Sequence, residues 1–259
     1  MSKITIAALM AVSLFVGMLI LLEIGRRIGR RRLMRDPKGA RAGTGVVDGA
    51  VFALVGLLIA FTFSGAASRF DHRRDLIVQE ANAIGTAYLR LDLLQPDARS
   101  AIQEEFRRYV DARLAAYRKL PNIRAARAGL ADAAALQNQI WQQVVVAGQA
   151  PGASSDAIKL LLPALNDMID ITTTRALAVQ MHPPLVIYLM LVFLALTSAL
   201  LAGYSMAGGQ TRNWLHMAAF VAVMAIAVYI IIDIEFPRLG LVRVDRFDQA
   251  LVEVRATMR

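Results

Sequence analysis

The chain has 259 residues, no cysteine, and 29 Lys and Arg against 20 Asp and Glu, which gives a formal net charge of +9. Hydrophobic residues make up 57% of it and the mean hydropathy is +0.49, which is above the range of about 45–50% typical of soluble domains. This composition excludes a collagen, a disulfide-rich scaffold and a disordered chain. A sequence pI of about 10.4 is typical of proteins that bind nucleic acid. Whether it indicates such a partner here depends on where the charges lie in the chain.

Four apolar segments are each close to the length of a membrane-spanning helix, which needs about 20 apolar residues to cross a hydrocarbon layer about 30 Å thick. They cover residues 4–22, 51–67, 185–202 and 215–232. In lipid, each segment satisfies its own backbone hydrogen bonds as a helix. We expect the first to be a retained span and not a signal peptide, because its apolar run is long and its positive charge follows it.

Residues 68–181 form the polar middle of the chain, and their apolar residues recur at steps of three and four, which is typical of helices. The second span is predicted to run on as one helix to Leu94. Asp97 is predicted to cap the next helix, which ends before Pro121. Further helices are predicted over residues 124–149 and 156–180, the last one capped by Ser154 or Ser155.

The sequence therefore predicts an all-α integral membrane protein with four transmembrane helices and a helical bundle inserted between the second and third. The predicted parts are residues 1–67 with the first two spans, 68–181 with the bundle, and 182–259 with the last two spans and a short tail.

The positive charge is concentrated in the predicted loop 24–46, which holds eight basic residues and one acid. Short basic loops stay in the cytoplasm, so this loop is predicted to be cytoplasmic and the helical domain periplasmic, in a bacterial inner membrane. The other residues carry 21 basic and 19 acidic groups. The basic run is thus a topology signal or a contact for anionic lipid headgroups, and no nucleic-acid partner is predicted.

No pattern in the sequence indicates catalysis. The three histidines, His72, His182 and His216, lie in different regions and in no metal-ligand spacing. Phosphate-binding glycine loops and nucleophile elbows are absent from the sequence. We therefore predict no enzyme activity, no metal site and no cofactor.

The second span carries small residues at steps of three and four, which places them on one helix face. They are Gly49, Ala53, Gly56, Ala60, Ser64 and Ser68. Such a face allows close helix packing or, in an oligomer, lines a pore. Both uses can coexist when identical helices surround an axis. Phe61 and Phe63 are candidate constriction residues.

Beyond the second span, Arg69, Arg73 and Glu80 fall on nearly one helical stripe. The arginines are predicted either to snorkel at the membrane boundary or to form a ring that attracts anions at a pore mouth. Glu80 and Asn82 lie on different faces and are structural polar candidates. Asp233, at the boundary of the fourth span, is expected to pair with Arg238, Arg243 or the arginines after the second span.

Three segments resemble bacterial bestrophin-like membrane proteins of uncharacterised function. They are residues 61–96, residues 165–184, which contain the structural candidate Arg175, and residues 231–244. The end of the second span, Ser68-Arg69-Phe70 followed by Arg73-Arg74, is similar to the pore helix of bestrophin anion channels. The resemblance implies four spans per subunit, a homo-oligomer in membrane lipid, and a pore for inorganic anions lined by the second span.

A different class of function remains open from the sequence. A helical domain between two spans also resembles the input domain of chemoreceptors, which suggests a non-channel periplasmic sensor or scaffold. Ion flux through the purified protein distinguishes the two hypotheses.

Overall fold

The computed structural model describes residues 3–36, 44–120, 122–209 and 213–258, which form α-helices, short 3-10 helices and connecting turns, with no strand among them. The helices are α1 Lys3–Arg35, α2 Thr44–Arg90, α3 Pro96–Arg118, α4 Ile123–Gln149, α5 Ser155–Gln180, α6 Leu185–Ser205, α7 Trp214–Glu235 and α8 Gln249–Thr257. The all-α prediction is confirmed. Lys38, Arg41, Pro121 and Arg212 lie outside the described residues.

Four helices among the described residues are long and apolar enough to cross a membrane, as predicted. They are α1, the first half of α2, α6 and α7. The compact unit that contains them comprises Met1–Ser68 and His182–Phe236. Within it, α1 packs against α6 and α7.

Glycines bring the backbones of α1 and α6 into direct contact. A Cβ atom at Gly203 of α6 would clash with the carbonyl oxygen of Leu22, and one at Gly25 of α1 would clash with the carbonyl oxygen of Leu200. In a membrane, where lipid tails are as apolar as leucine, this close approach of backbones is what holds helices together. The α1–α6 pair is therefore a fixed element of the unit.

The spanning part of α2 is much less covered by the chain than the other spans. Only 11% of the residues in its most apolar stretch are buried, compared with 50% in α7. Phe52 contacts Phe220 of α7 edge-to-face, with 6.0 Å between ring centroids, and Ser205 of α6 donates a hydrogen bond to Asp48. These contacts fix one side of α2 and leave most of its surface open.

The second compact unit comprises Arg69–Met181 and Pro237–Arg259. Its core is built from the apolar stripes of the second half of α2 and of α3, α4 and α5, with Phe106 and Tyr109 of α3 fully buried at its centre. Leu251 of α8 is also part of this core. Residues 237–259, which the sequence grouped with the last two spans, therefore belong to the second unit, and their helix α8 was not predicted.

Helix ends in the second unit follow local side-chain chemistry. Ser154 caps α5, as predicted, because its hydroxyl accepts a hydrogen bond from the amide of Ala157. The start of α3 differs from the prediction: Gln95 is the capping residue and Pro96 opens the helix, so Asp97 lies in the first turn. Proline fits this first position because its missing N–H has no partner there in any case.

The first helix also differs from the prediction. Residues 24–35 of the predicted loop 24–46 belong to α1, which continues to Arg35. Arginine has a high helix propensity, so the change from apolar to basic residues does not end the helix.

Candidate functional site

The small-residue face of α2, formed by Gly49, Ala53, Gly56, Ala60, Ser64 and Ser68, is exposed along its whole length. A Cβ atom added at Gly49 or Gly56 would meet no atom within 4 Å. No other helix of the described chain therefore uses this face for packing. It is available to another copy of the chain, to lipid or to a pore.

The buried side of α2 is a different stripe, formed by Val55, Thr62 and Ala66, which are spaced by seven and four residues. The Thr62 hydroxyl donates to the carbonyl oxygen of Leu58 at 2.6 Å, so its polar group is satisfied within the helix. Phe61 and Phe63, the predicted constriction residues, are 67% and 45% exposed. At 100° per residue, these two phenylalanines lie on either side of the small-residue face.

The two predicted mouth arginines have different surroundings. Arg69 is half-buried. Arg73 is buried, and its guanidinium donates from Nε to the carbonyl oxygen of Ala178 at 3.1 Å and from Nη2 to that of Met181 at 2.8 Å. These carbonyls end α5 and have no partner inside their own helix. Arg73 thus acts as a C-terminal cap of α5, and its predicted place in an exposed ring of cations does not fit its burial.

Glu80 lies at the centre of a buried ionic cluster, which we call the Glu80 cluster and define as Glu80, Arg113 and Arg175. The Glu80 side chain is fully buried, and those of Arg113 and Arg175 are 7% and 8% exposed. Arg113 donates to Oε1 at 2.7 Å, and Arg175 donates to Oε2. Each carboxylate oxygen therefore receives a charge-assisted hydrogen bond, and the cluster ties α2 to α3 and α5.

Tyr117 of α3 extends this cluster. Its hydroxyl accepts a hydrogen bond from Arg113 Nη2 at 2.8 Å. The guanidinium carbons of Arg175 and Arg238 lie 4.8 and 4.4 Å from its ring centroid, within the range of cation–π attraction. Burial raises the pKa of the Tyr117 phenol above its usual value, against the opposing effect of Arg113, so the ring stays neutral between these cations.

Arg238 links the C-terminal segment to the same place. It forms a two-pronged ion pair with Asp248, with both N–O distances at 2.7 Å. Because Arg238 also contacts the Tyr117 ring, the segment that carries α8 is fixed to the second unit at the edge of the Glu80 cluster.

Two structural candidates remain, Asn82 and Asp233. Asn82 is exposed on α2. Asp233 is buried in α7. Arg238 and Arg243, two of its predicted partners, pair with Asp248 and Asp245. None of the described residues forms a group of acids and histidines able to hold a metal ion.

The family model for the bestrophin-like domain matches residues 11–247 of the sequence. The chain belongs to the bestrophin-like family. The match covers all of α2 and every candidate residue named above, and it confirms the resemblance on which the channel hypothesis depends.

Solved bestrophin structures have the same fold. A crystal structure of a single-residue variant of a bacterial bestrophin homologue from Klebsiella pneumoniae superposes with a TM-score of 0.70, at 14% identity, over 93% of this chain and 99% of that chain. A second variant of that homologue gives a TM-score of 0.65 at 15% identity, over 95% of this chain and 98% of that chain. A comparison with curated proteins gives no match.

Sequence reasoning missed three polar residues of this bestrophin-like chain: Arg113, Tyr117 and His182. Arg113 and Tyr117 follow Tyr109 at steps of four, on the apolar stripe of α3, and a charged residue within such a stripe signals a buried ion pair. His182 lies just before α6, and its Nδ1 is 3.2 Å from Oε2 of the buried Glu235. No local pattern could have indicated that pair, since its members are 53 residues apart.

Proposed function

We propose that this protein is an oligomeric ion channel in which the small-residue face of α2 lines the pore. Membership in the bestrophin-like family supports a channel, and homologues with this fold span a membrane. The enzyme alternative has no support from a catalytic motif, so we assign no reaction.

The observation that carries the proposal is the complete exposure of the small-residue face within one chain. Val55 and Thr62 supply the packing inside the chain, so Gly56, Ala60 and Ser64 are left for a neighbour or for a pore. Identical α2 helices around a closed symmetry axis would put this face on the axis. Small side chains at that position leave space for an ion.

The proposed constriction involves Phe61 and Phe63, which flank the face and are exposed. Hydrophobic rings of this kind gate channels by excluding water when the pore is narrow. We propose that one of these two rings is the narrowest point, because the small-residue face on its own offers no bulky side chain.

Anion permeation is the part of the proposal that follows from the family resemblance. The charges after the second span give it only partial support: Arg73 donates to a carbonyl oxygen at the end of α5, and Asp71 and Asp75, further along α2, are exposed. Arg69 is the mouth arginine that keeps its proposed role in attracting anions. The sign of the permeant ion is therefore the property that the flux experiment has to measure.

The proposed location is a bacterial inner membrane, with the basic end of α1 in the cytoplasm and the second unit in the periplasm. The excess of arginine after the first span supports this orientation. The chain has no native cysteine, so single cysteines in α4 label from the periplasm if the orientation holds and only after membrane breach if it is reversed.

The test is ion flux into liposomes that contain the purified protein, with reversal potentials measured in a salt gradient. We expect protein-dependent flux, with chloride carrying most of the current. Absence of flux in every salt would contradict the channel and favour a periplasmic sensor or scaffold. Flux carried by cations would keep the channel and overturn its anion selectivity.

A matched pair of variants connects the flux to α2. Ala60→Trp puts a bulky ring on the small-residue face and should abolish flux. Leu189→Trp adds the same ring on α6, where Leu189 is 60% exposed, and should leave flux unchanged. Equal effects of both substitutions would contradict the proposed pore lining.

A further inference from the structure

Helix α1 extends well past its apolar stretch and carries a dense group of arginines there. Residues 23–35 continue the helix without a break, which adds about 20 Å at 1.5 Å per residue. We call these residues the basic extension. Its exposed arginines are Arg27, Arg30, Arg31, Arg32 and Arg35.

The basic extension is held in one orientation by its glycines. A Cβ atom at Gly29 would lie 2.6 Å from the Cβ of Ala207 and 2.7 Å from the carbonyl oxygen of Tyr204. Gly25, one turn earlier, meets the α6 backbone in the same way. Because this face is packed against the end of α6 and the turn after it, the opposite face points away from α6.

Arg27, Arg31 and Arg35 share that outward face, since they are spaced by four residues. Arg27 is paired with Glu23 one turn earlier, at 3.0 Å, but remains 71% exposed. Among the described residues, no ion pair involves Arg31 or Arg35. The face therefore presents more positive charge than the protein itself neutralises.

Exposed apolar residues lie between these arginines. Ile24 and Ile28 are 40% and 49% exposed on the same face. Side chains of a helix tilt toward its N-terminus, which here is the direction of the membrane. Arg27 and Arg31, the two outward arginines nearest the apolar stretch, can therefore extend back to the lipid headgroups while the isoleucines contact the upper acyl chains. A soluble polyanion would leave the two isoleucines in water.

We propose that the outward face of the basic extension is a binding surface for the phosphate groups of anionic phospholipids in the adjacent leaflet. An arginine fork matches two phosphate oxygens at once. The apolar residues between the arginines fit the glycerol and acyl region of the same lipids. This inference concerns α1 alone and stands whether or not the protein conducts ions.

The test measures lipid selectivity of the full-length protein in mixed bilayers, with spin-labelled phosphatidylglycerol and phosphatidylcholine as probes. The spectrum separates lipids held at the protein surface from free lipids. A basic residue near an anionic surface favours binding by roughly fivefold, so the wild type should prefer phosphatidylglycerol by about that factor or more. The variant R27Q/R31Q/R35Q should lose most of this preference, with the remainder due to Arg30 and Arg32.

The matched control removes three exposed arginines from the second unit, as R118Q/R124Q/R127Q, and should keep the full preference. The variant R27K/R31K/R35K keeps the charge and should retain part of it. One molar salt, with a Debye length of about 3 Å, should abolish the wild-type preference.

Three results would overturn the proposal. The first is a wild-type protein with no preference, and the second is a preference that R27Q/R31Q/R35Q retains undiminished. The third is a lipid preference that disappears when a soluble competitor is added at constant ionic strength. The competitors are millimolar pyrophosphate and a short DNA duplex, the latter shown to bind the basic extension. That result would assign the surface to soluble polyphosphate or nucleic acid.

Discussion

Replacement of Glu80 by glutamine tests how the second unit is held together. The substitution keeps the shape of the side chain but removes the negative charge that lies between Arg113 and Arg175. Both guanidinium groups would remain buried, at 7% and 8% side-chain exposure, and neither would keep its carboxylate partner.

The expected loss of stability is large because the site is dry. Removal of one partner from a buried ion pair costs about 3–5 kcal/mol, since the remaining charge is left without compensation. An exposed pair such as Glu104 with Arg107, where the glutamate is 58% exposed, contributes about 1 kcal/mol or less. At roughly 2–4 °C per kcal/mol for a chain of this size, Glu80→Gln should lower Tm by roughly 10 °C and Glu104→Gln by a few degrees at most.

Thermal unfolding in detergent, followed by circular dichroism, measures both variants under the same conditions. A second measurement uses the double variant E80Q/R175Q, in which one unpaired cation is also removed. The double variant should lose less stability than the losses of the single variants E80Q and R175Q added together, because the members of the cluster are coupled. The reasoning is refuted if Glu80→Gln and Glu104→Gln melt within 2 °C of each other, or if the double variant is strictly additive.

Three further predictions concern packing, helix capping and pH. Gly203→Ala should strongly lower Tm, since the added Cβ would clash with the carbonyl oxygen of Leu22. Gly49→Ala should not lower Tm, because the space around Gly49 is open. Equal melting temperatures for the two variants would contradict the close α1–α6 contact. Arg73→Gln should lower the free energy of unfolding by about 1–3 kcal/mol, because two carbonyl groups at the end of α5 lose their hydrogen-bond donor. Denaturant unfolding measures this, and an unchanged denaturation midpoint would contradict the capping role. Burial raises the pKa of Tyr109 to about 12, above its value of about 10 in the unfolded chain. Between pH 10 and 12 the unfolded chain therefore loses this proton while the folded protein keeps it, so the free energy of unfolding should decrease as the pH rises through this range. Tyr109→Phe should reduce that fall, and an identical alkaline profile would contradict the assignment.

The positions of the spans could be predicted because span length is set by the thickness of the membrane and is read directly from apolar runs. The start of α5 could be predicted because Ser154 supplies a cap from within the same turn. In both cases the signal is local, so the neighbours in sequence suffice to determine the structure.

The role of Arg73 could not be predicted in the same way. Periodicity correctly placed it on one stripe with Glu80, but a stripe does not reveal whether it points to solvent or to another helix. The deciding partners, Ala178 and Met181, are more than 100 residues away. The association of residues 237–259 with the second unit has the same origin, because it depends on contacts such as that between Arg238 and Tyr117, which no local pattern encodes.

The small-residue face of α2 lies between these two cases. Its existence was evident from the spacing of Gly56, Ala60 and Ser64, yet the sequence left packing and pore lining open. The structure narrows the choice, since no described helix of the same chain packs on this face. What covers or fills it is a property of the assembly and not of the single chain.

Cysteine modification along α2 in liposomes tests pore lining most directly, because the chain has no native cysteine. Single variants Gly56→Cys, Ala60→Cys and Ser64→Cys should conduct ions until a charged thiol reagent is added, and should then lose most of their flux. Val55→Cys, on the buried stripe, should be unaffected. Absence of flux in the unmodified variants and the wild type, or equal block at Val55→Cys, would contradict a pore lined by the small-residue face.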